Sequence, residues 1–95
     1  MQINEAKINK VTYGRNVEII MPSNLYNCSL GDNVFIGPFV EVQAGVTIKK
    51  NTRVQSHSFI CEGVEVGEEC VIGHGVMFIN DTYSNGKPAG GNKEL

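Results

Sequence analysis

The stretch "IGPFVEVQAGVTI", residues 36–48, has isoleucine or valine at Ile36, Val42 and Ile48, so the same kind of apolar residue returns every six positions. A helical face repeats near 3.6 residues, and a strand with one buried side repeats near two. A two-residue period would also need large apolar residues at 38 and 44, where the chain has Pro38 and Ala44. The chain must therefore turn within every six residues.

Steps of six from Leu30 extend this period over most of the chain. Each position reached is large and apolar: Leu30, Ile36, Val42, Ile48, Val54, Ile60, Val66, Ile72 and Phe78. The residue four positions after each of these is small or β-branched, which suits strands and close packing. The residue three positions after each is Gly, Asn or Asp in six of nine cases, and these types tolerate a left-handed bend. Each six-residue unit is therefore predicted to be a short strand followed by a corner.

Three such units close one coil of 18 residues, so Leu30, Ile48 and Val66 are expected to stack, with about 4.8 Å between coils. The sequence thus predicts an all-β protein, a single-stranded parallel β-helix of 18-residue triangular coils. The period is broken before Leu30. Val17 precedes Leu30 by thirteen residues, which is one more than two six-residue units. We interpret 1–29 as an irregular first coil with one inserted residue near "MPSNLYN", 30–83 as the hexapeptide-repeat β-helix, and 84–95, which is rich in turn-forming residues, as a loop or mobile tail.

Composition narrows the class of partner. The formal net charge is −2, from ten acidic and eight basic residues, which argues against nucleic acid because phosphate binding needs a basic face. Apolar runs are far shorter than the ~20 residues of a membrane span, and the start has no signal-peptide core, so a cytoplasmic protein is expected. Three cysteines without metal-ligand spacing are expected to be reduced and packed.

Three segments resemble a known family: "IGPFVEVQAGV" (36–46), "VQSHSFICEGVEV" (54–66) and "VIGHGVMFIND" (71–81). The repeat is similar to the left-handed parallel β-helix of hexapeptide-repeat acyltransferases. The segments from about Asn24 to Tyr83 resemble the branch that N-acetylates the 3-amino group of UDP- or dTDP-linked amino sugars for bacterial surface polysaccharide.

The resemblance implies the left hand of the helix, a homotrimer with active sites between the prisms, and acetyl-CoA as cosubstrate. Relatives in that family continue beyond the "FIND" segment with coils that hold much of the CoA, whereas this sequence stops at Leu95. The chain is therefore expected to be truncated, and to be an enzyme if it is part of a longer protein.

Acetyl transfer needs a neutral amine, a route for its proton and a donor for the oxyanion. His57 and His74 are the two histidines, and the repeat places them one coil apart on the same flank, pointing outward. They are either polar surface groups or, as "QSH" and "GHG" of the family motif suggest, catalytic bases. No metal site is predicted.

Other candidates have similar alternatives. The resemblance puts Asn80 beside the sugar amine, with Asp81 next to it, although Asn-Asp also suits a corner. Glu62, one coil before Asn80, either orients the amine or is a solvated corner charge. Gln43 and Gln55 either contact substrate or are ordinary surface groups.

Two further hypotheses stay open. One is a truncated, non-catalytic trimeric scaffold or fragment that lacks the CoA-binding coils. The other is a zinc enzyme of the carbonic-anhydrase class that shares this fold, which needs three histidines where one chain has two. The column Glu41, Phe59, Met77 places two apolar residues outward, so we expect the trimer contact there.

Overall fold

The strands are short and evenly spaced. A computed structural model describes residues 1–2 and 7–78, and in those residues it contains twelve strands. They are β1 Ile8–Asn9, β2 Thr12–Tyr13, β3 Glu18–Ile19, β4 Asn24–Tyr26, β5 Ser29–Leu30, β6 Phe35–Ile36, β7 Glu41–Val42, β8 Thr47–Ile48, β9 Arg53–Val54, β10 Phe59–Ile60, β11 Glu65–Val66 and β12 Val71–Ile72.

Three parallel sheets form the three faces of a triangular prism. Face 1 consists of β1, β4, β7 and β10, face 2 of β2, β5, β8 and β11, and face 3 of β3, β6, β9 and β12. Every third strand thus returns to the same face. The predicted fold class, an all-β left-handed parallel β-helix of 18-residue coils, is confirmed.

The register of the central coils is 18 residues. Leu30 pairs with Ile48 and Ile48 with Val66, while Ile36 pairs with Val54 and Val54 with Ile72. Backbone hydrogen bonds join the coils, as where the Gly31 amide donates to the Ile48 carbonyl over 2.8 Å. The stacking expected from the sequence is confirmed.

The interior is filled by the two apolar columns that the repeat predicts. The large residues from Leu30 to Val66 are at most 6% exposed. The small column behind them is equally buried at Val34, Val40 and Val46, and its polar members bond to backbone: the Thr52 hydroxyl donates to Gly67 O over 2.7 Å. Side chains therefore fill the axis of the described coils, and a ligand would have to bind on the outside of the prism.

The corners adopt the left-handed backbone conformation that the third column predicts. Positive φ angles occur at all of its described members, Asn33, Phe39, Gly45, Asn51, His57, Gly63, Glu69 and Gly75. Phe39, at a φ of 60°, is an uncommon residue for this conformation, because a Cβ atom comes close to the following carbonyl oxygen, whereas His57, at 63°, is of a type that adopts it more often.

The prediction of an inserted residue is wrong, because the first coil is one residue short instead. Tyr13 pairs with Leu30, Ile19 with Ile36, and Leu25 with Val42, each 17 residues apart. The missing residue lies between Leu25 and Leu30, which are five apart, and Val17 stands in the small column beside Val34.

The segment boundaries at 1–29, 30–83 and 84–95 stay a prediction, since 79–95 lie outside the described residues. No helix within residues 1–2 and 7–78 has the length and apolar character to cross a membrane.

Candidate functional site

The polar candidates that the structure describes lie on two neighbouring edges of the prism. The edge between faces 3 and 1, here the 3–1 edge, consists of the corners at 37–40, 55–58 and 73–76. The edge between faces 1 and 2, the 1–2 edge, consists of 43–46 and 61–64. His57, His74 and Gln55 occupy the 3–1 edge, and Gln43 and Glu62 occupy the 1–2 edge. Face 1 therefore separates the candidates into two groups.

His74 is exposed on the 3–1 edge and is held by the residue one coil before it. Its Nδ1 atom lies 2.8 Å from Oγ of Ser56, a half-buried residue one 18-residue repeat earlier. The coil contact is reinforced where the Gly75 amide donates to the Ser56 carbonyl over 3.0 Å. This hydrogen bond fixes the ring so that Nε2 remains available to a ligand.

His57 is exposed too, but a ring contact positions it. Its imidazole stacks on the Phe39 ring one coil earlier, with centroids 4.9 Å apart and an interplanar angle of 24°. Its backbone amide donates to the Pro38 carbonyl over 3.2 Å. The prediction that both imidazoles sit one coil apart near a corner and point outward is confirmed.

Gln55 begins the corner that contains His57. It is half-buried, and its backbone amide donates to the Ile72 carbonyl over 2.9 Å. Its position close to His57 along the chain keeps it on the same edge as both imidazoles. A contact with substrate stays a prediction.

Gln43 links face 1 to the 1–2 edge. Its Nε2 donates to Oε2 of Glu41 over 3.0 Å, and its Oε1 accepts from the Glu62 amide over 3.1 Å. Both ends of the amide thus hold neighbouring protein groups, whereas the Glu62 side chain is exposed to solvent. Of these two candidates Glu62 has the freer side chain.

Asn80 and Asp81 lie outside the described residues. Their predicted roles near the sugar amine stay predictions.

A shallow cavity of about 220 Å³ opens beside the 3–1 edge. Its lining residues are Pro22, Ser23, Asn24, Phe39, Val40 and Glu41. Phe39 belongs at once to this cavity and to the stack with His57. Pro22, Ser23 and Asn24 were not predicted as neighbours of Phe39 and Glu41. The first coil pairs with the next at a spacing of 17 residues, whereas the sequence predicts 18.

Ser56 was not predicted as a site residue either. Its signal in the sequence was the 18-residue spacing to His74, which becomes informative once the coil length is known. Phe39 carried a weaker signal, as an aromatic residue at a corner position.

Face 1 presents the predicted apolar column. Glu41 pairs with Phe59, and Phe59 with Met77, so the three residues stand one above another. Phe59 is half-buried and Met77 is 75% exposed. The alignment is confirmed, and the trimer contact through it stays a prediction.

The cysteines are free, and Cys28 and Cys61 are buried. Burial raises the pKa of the Cys28 thiol to about 11, so it stays neutral at physiological pH and is unsuited to act as a nucleophile. Within residues 1–2 and 7–78, no three His, Cys, Asp or Glu side chains are arranged to hold a metal ion.

Comparison with known protein families gives a match to the central part of the chain. Residues 27–62 match the family model described as bacterial transferase hexapeptide (six repeats). Searches of curated proteins and of solved structures found no match. The match and the parallel coils together support the hexapeptide-repeat β-helix superfamily, whose members commonly use acyl-CoA and commonly form trimers. Residues 27–62 include Gln43, Gln55, His57 and Glu62.

Proposed function

We propose that this hexapeptide-repeat β-helix protein is an N-acetyltransferase that moves acetyl from acetyl-CoA to the amino group of a UDP- or dTDP-linked amino sugar. The proposal is supported by the matched transferase repeat and by the resemblance of "VQSHSFICEGVEV" and "VIGHGVMFIND" to that branch. The observation that carries it is the 3–1 edge, where two outward imidazoles lie on adjacent coils and that of His57 falls within the matched residues.

The chemistry is compatible with these residues. The neutral amine attacks the thioester carbonyl, an N–C bond forms, and the C–S bond breaks to release CoA thiolate. The amine gives up one proton, which an imidazole near neutral pH accepts and passes on to the thiolate. Glu62 lies on the 1–2 edge, so it would orient the amine only in an assembly that brings this edge next to the 3–1 edge of another subunit.

The assembly proposed is a homotrimer in the cytoplasm. Face 1 is the proposed contact, because Phe59 and Met77 leave apolar surface there. The two candidate edges border this face, so both would lie at the margins of a subunit interface. Each cleft would then combine groups from two subunits.

The test is calorimetric titration of the chain with acetyl-CoA, UDP-amino sugars and dTDP-amino sugars, followed by mass spectrometry of an incubated mixture. We expect the chain to bind one sugar class saturably, and the chain joined to further CoA-binding coils to bind acetyl-CoA saturably and to form a product heavier by one acetyl group. The matched control is the corresponding sugar with a hydroxyl in place of the amine. Binding of neither compound, with no product, would contradict the proposal and leave the β-helix as a scaffold.

A further inference from the structure

We propose that Ser56 is a positioning residue that holds His74 as the Nδ1–H tautomer, so that the outward Nε2 is the atom that accepts the proton of the amine. The inference rests on the proposed function for its role in turnover. The hydrogen-bonded pair itself rests on geometry alone, on the 2.8 Å between Ser56 Oγ and His74 Nδ1.

The two histidines of the 3–1 edge are held in different ways, which separates their roles. The His57 ring lies against Phe39 and extends an aromatic surface next to the 220 Å³ cavity. The His74 ring is held at one nitrogen by a hydroxyl, and the residue as a whole is exposed to solvent. Holding one nitrogen is how proteins select which imidazole nitrogen does chemistry.

The fold determines the geometry of the pair. Ser56 and His74 occupy equivalent positions of consecutive coils, and Gly75 N bonds to Ser56 O over 3.0 Å beside them. The backbone therefore fixes the distance between the Cα atoms of Ser56 and His74, and this distance limits how far apart the two side chains can lie. Sites built on such repeated strands and corners hold their geometry better than sites on free loops.

The direction of the hydrogen bond follows from the proposed reaction. If Nδ1–H donates to Ser56 Oγ, Nε2 carries a lone pair and can take the amine proton. If Ser56 donates to Nδ1, Nε2–H is a donor and cannot act as a base. A serine hydroxyl can accept or donate, so the tautomer is a measurable property that distinguishes the two.

The first experiment records imidazole ¹⁵N chemical shifts of the full chain with labelled histidine, at a pH where the rings are neutral. We expect His74 to show protonated Nδ1 and bare Nε2, and Ser56→Ala to shift its tautomer ratio while His57 is unchanged. Ser56→Thr keeps the hydroxyl and should restore the wild-type shifts. A His74 ring with protonated Nε2, or shifts unaffected by Ser56→Ala, would overturn the proposal.

The second experiment measures turnover of the same variants. Ser56→Ala should lower kcat roughly tenfold with little change in KM, and Ser56→Thr should recover most of it, because general-base catalysis contributes ~10²–10⁴-fold in total. Ser29→Ala, an exposed serine on face 2 that accepts from Thr12 over 2.9 Å, is the matched control and should keep wild-type kcat. Equal kcat in Ser56→Ala and wild type would overturn the catalytic role.

The two failures can be told apart. A chain that shows the expected ¹⁵N shifts but acetylates no sugar contradicts the proposed function and keeps the Ser56–His74 pair. A chain that acetylates the sugar with the reverse tautomer keeps the function and overturns the assignment of Nε2 as the base and of Ser56 as its positioning residue.

Discussion

At the scale of single residues, the chemistry of this protein depends on which side-chain atoms are exposed on the outer surface of the prism. A histidine at position 74 is visible in the sequence, but its hydrogen-bond partner becomes identifiable only when Ser56 is placed one coil before it. The same holds for the buried thiol of Cys28, whose environment is set by neighbours far away in the sequence. Substitutions at single positions therefore test which contacts matter.

The first prediction concerns the two imidazoles. His74→Ala should lower kcat about 10²-fold or more because the proton acceptor is lost. His57→Ala should mainly raise KM for the acceptor sugar, because the variant loses the imidazole that stacks on Phe39 and the aromatic surface beside the cavity becomes smaller. Steady-state kinetics on both variants checks this, and unchanged turnover in His74→Ala would remove that residue from the role of base.

The second concerns pH and Cys28. The folded thiol has a pKa of about 11 against 9.0 for an ordinary cysteine, so the unfolded chain loses its proton first as pH rises. The free energy of unfolding is therefore unaffected by this thiol below about pH 9. It falls as the pH rises from 9 to 11, because the unfolded state then loses the proton more readily than the folded state. The loss at pH 10 is about 1 kcal/mol, since one pKa unit corresponds to ~1.4 kcal/mol.

Urea unfolding at pH 8 and pH 10 measures this loss. Lysines and tyrosines titrate in the same window, so Cys28→Ala is the control, and its own pH 8 to pH 10 difference should be smaller by that amount. Identical differences in the two proteins would contradict the assignment.

The third prediction concerns Gly31 and Gly67, which occupy the same position of the corner after face 2, two coils apart. A Cβ at Gly31 would lie 2.7 Å from the backbone nitrogen of Lys50, which cannot move without shifting the coil. A Cβ at Gly67 would meet Cys70 Sγ at an ordinary 3.7 Å. Gly31→Ala should therefore destabilise by about 1–3 kcal/mol and Gly67→Ala by much less. Equal midpoints in thermal melts would argue against the close approach of the two coils at Gly31.

At the scale of elements, the unit of this fold is a two-residue strand and its corner. The corner between faces 2 and 3 carries an asparagine ladder, in which Asn16 donates to Asn33 over 3.3 Å and Asn33 donates to Asn51 over 2.9 Å. All three residues have positive φ. The ladder thus combines a left-handed backbone with side-chain bonds between coils.

Variants of Asn33 separate these two contributions. Asn33→Gly removes the ladder but keeps the backbone preference, whereas Asn33→Ala removes both. We expect Asn33→Ala to be less stable than Asn33→Gly by about 1 kcal/mol, the cost of a left-handed conformation for a residue with a Cβ. Chemical denaturation of both variants gives the comparison, and an Ala variant at least as stable as the Gly variant would show that the corner conformation is not limiting.

The sequence predicted the elements well wherever the period was unbroken. From Leu30 to Ile72, every sixth residue faces inward, because a six-residue step returns the same side of the chain to the core. The prediction of an inserted residue in the first coil is wrong because Val17, a β-branched residue, fits the large apolar column and the small column equally well. Pairing with the next coil decided that Ile19 and not Val17 lies over Ile36. No local signal contains that information.

At the scale of the whole molecule, the site depends on the prism and on what covers face 1. The repeat predicts His57 and His74 on one flank, and the structure shows that Gln43 and Glu62 lie on the other side of face 1. That separation follows from three-fold coil geometry. It makes the interface through face 1 central to the proposed function.

Charges on face 1 should break the proposed trimer. Phe59→Asp with Met77→Asp should convert the protein to monomers in light scattering, because two carboxylates on the apolar column would be desolvated at the contact. Ser29→Asp, which adds a charge to face 2, is the matched control and should leave the mass unchanged. A double variant that stays trimeric would contradict the contact.

The stacking of residues 18 apart underlies both the fold and the site, and disulfide formation tests it most directly. Thr47 and Glu65 are paired on face 2, so cysteines at both positions would be one coil, about 4.8 Å, apart, within the range of a disulfide. In a Cys70→Ser background, mild oxidation should join Thr47→Cys to Glu65→Cys within one chain, with a mass loss of two hydrogens. Ser29→Cys with Glu65→Cys, two coils apart at about 10 Å, should not join. Ready intramolecular bonding of the second pair, or none of the first, would contradict the coil register.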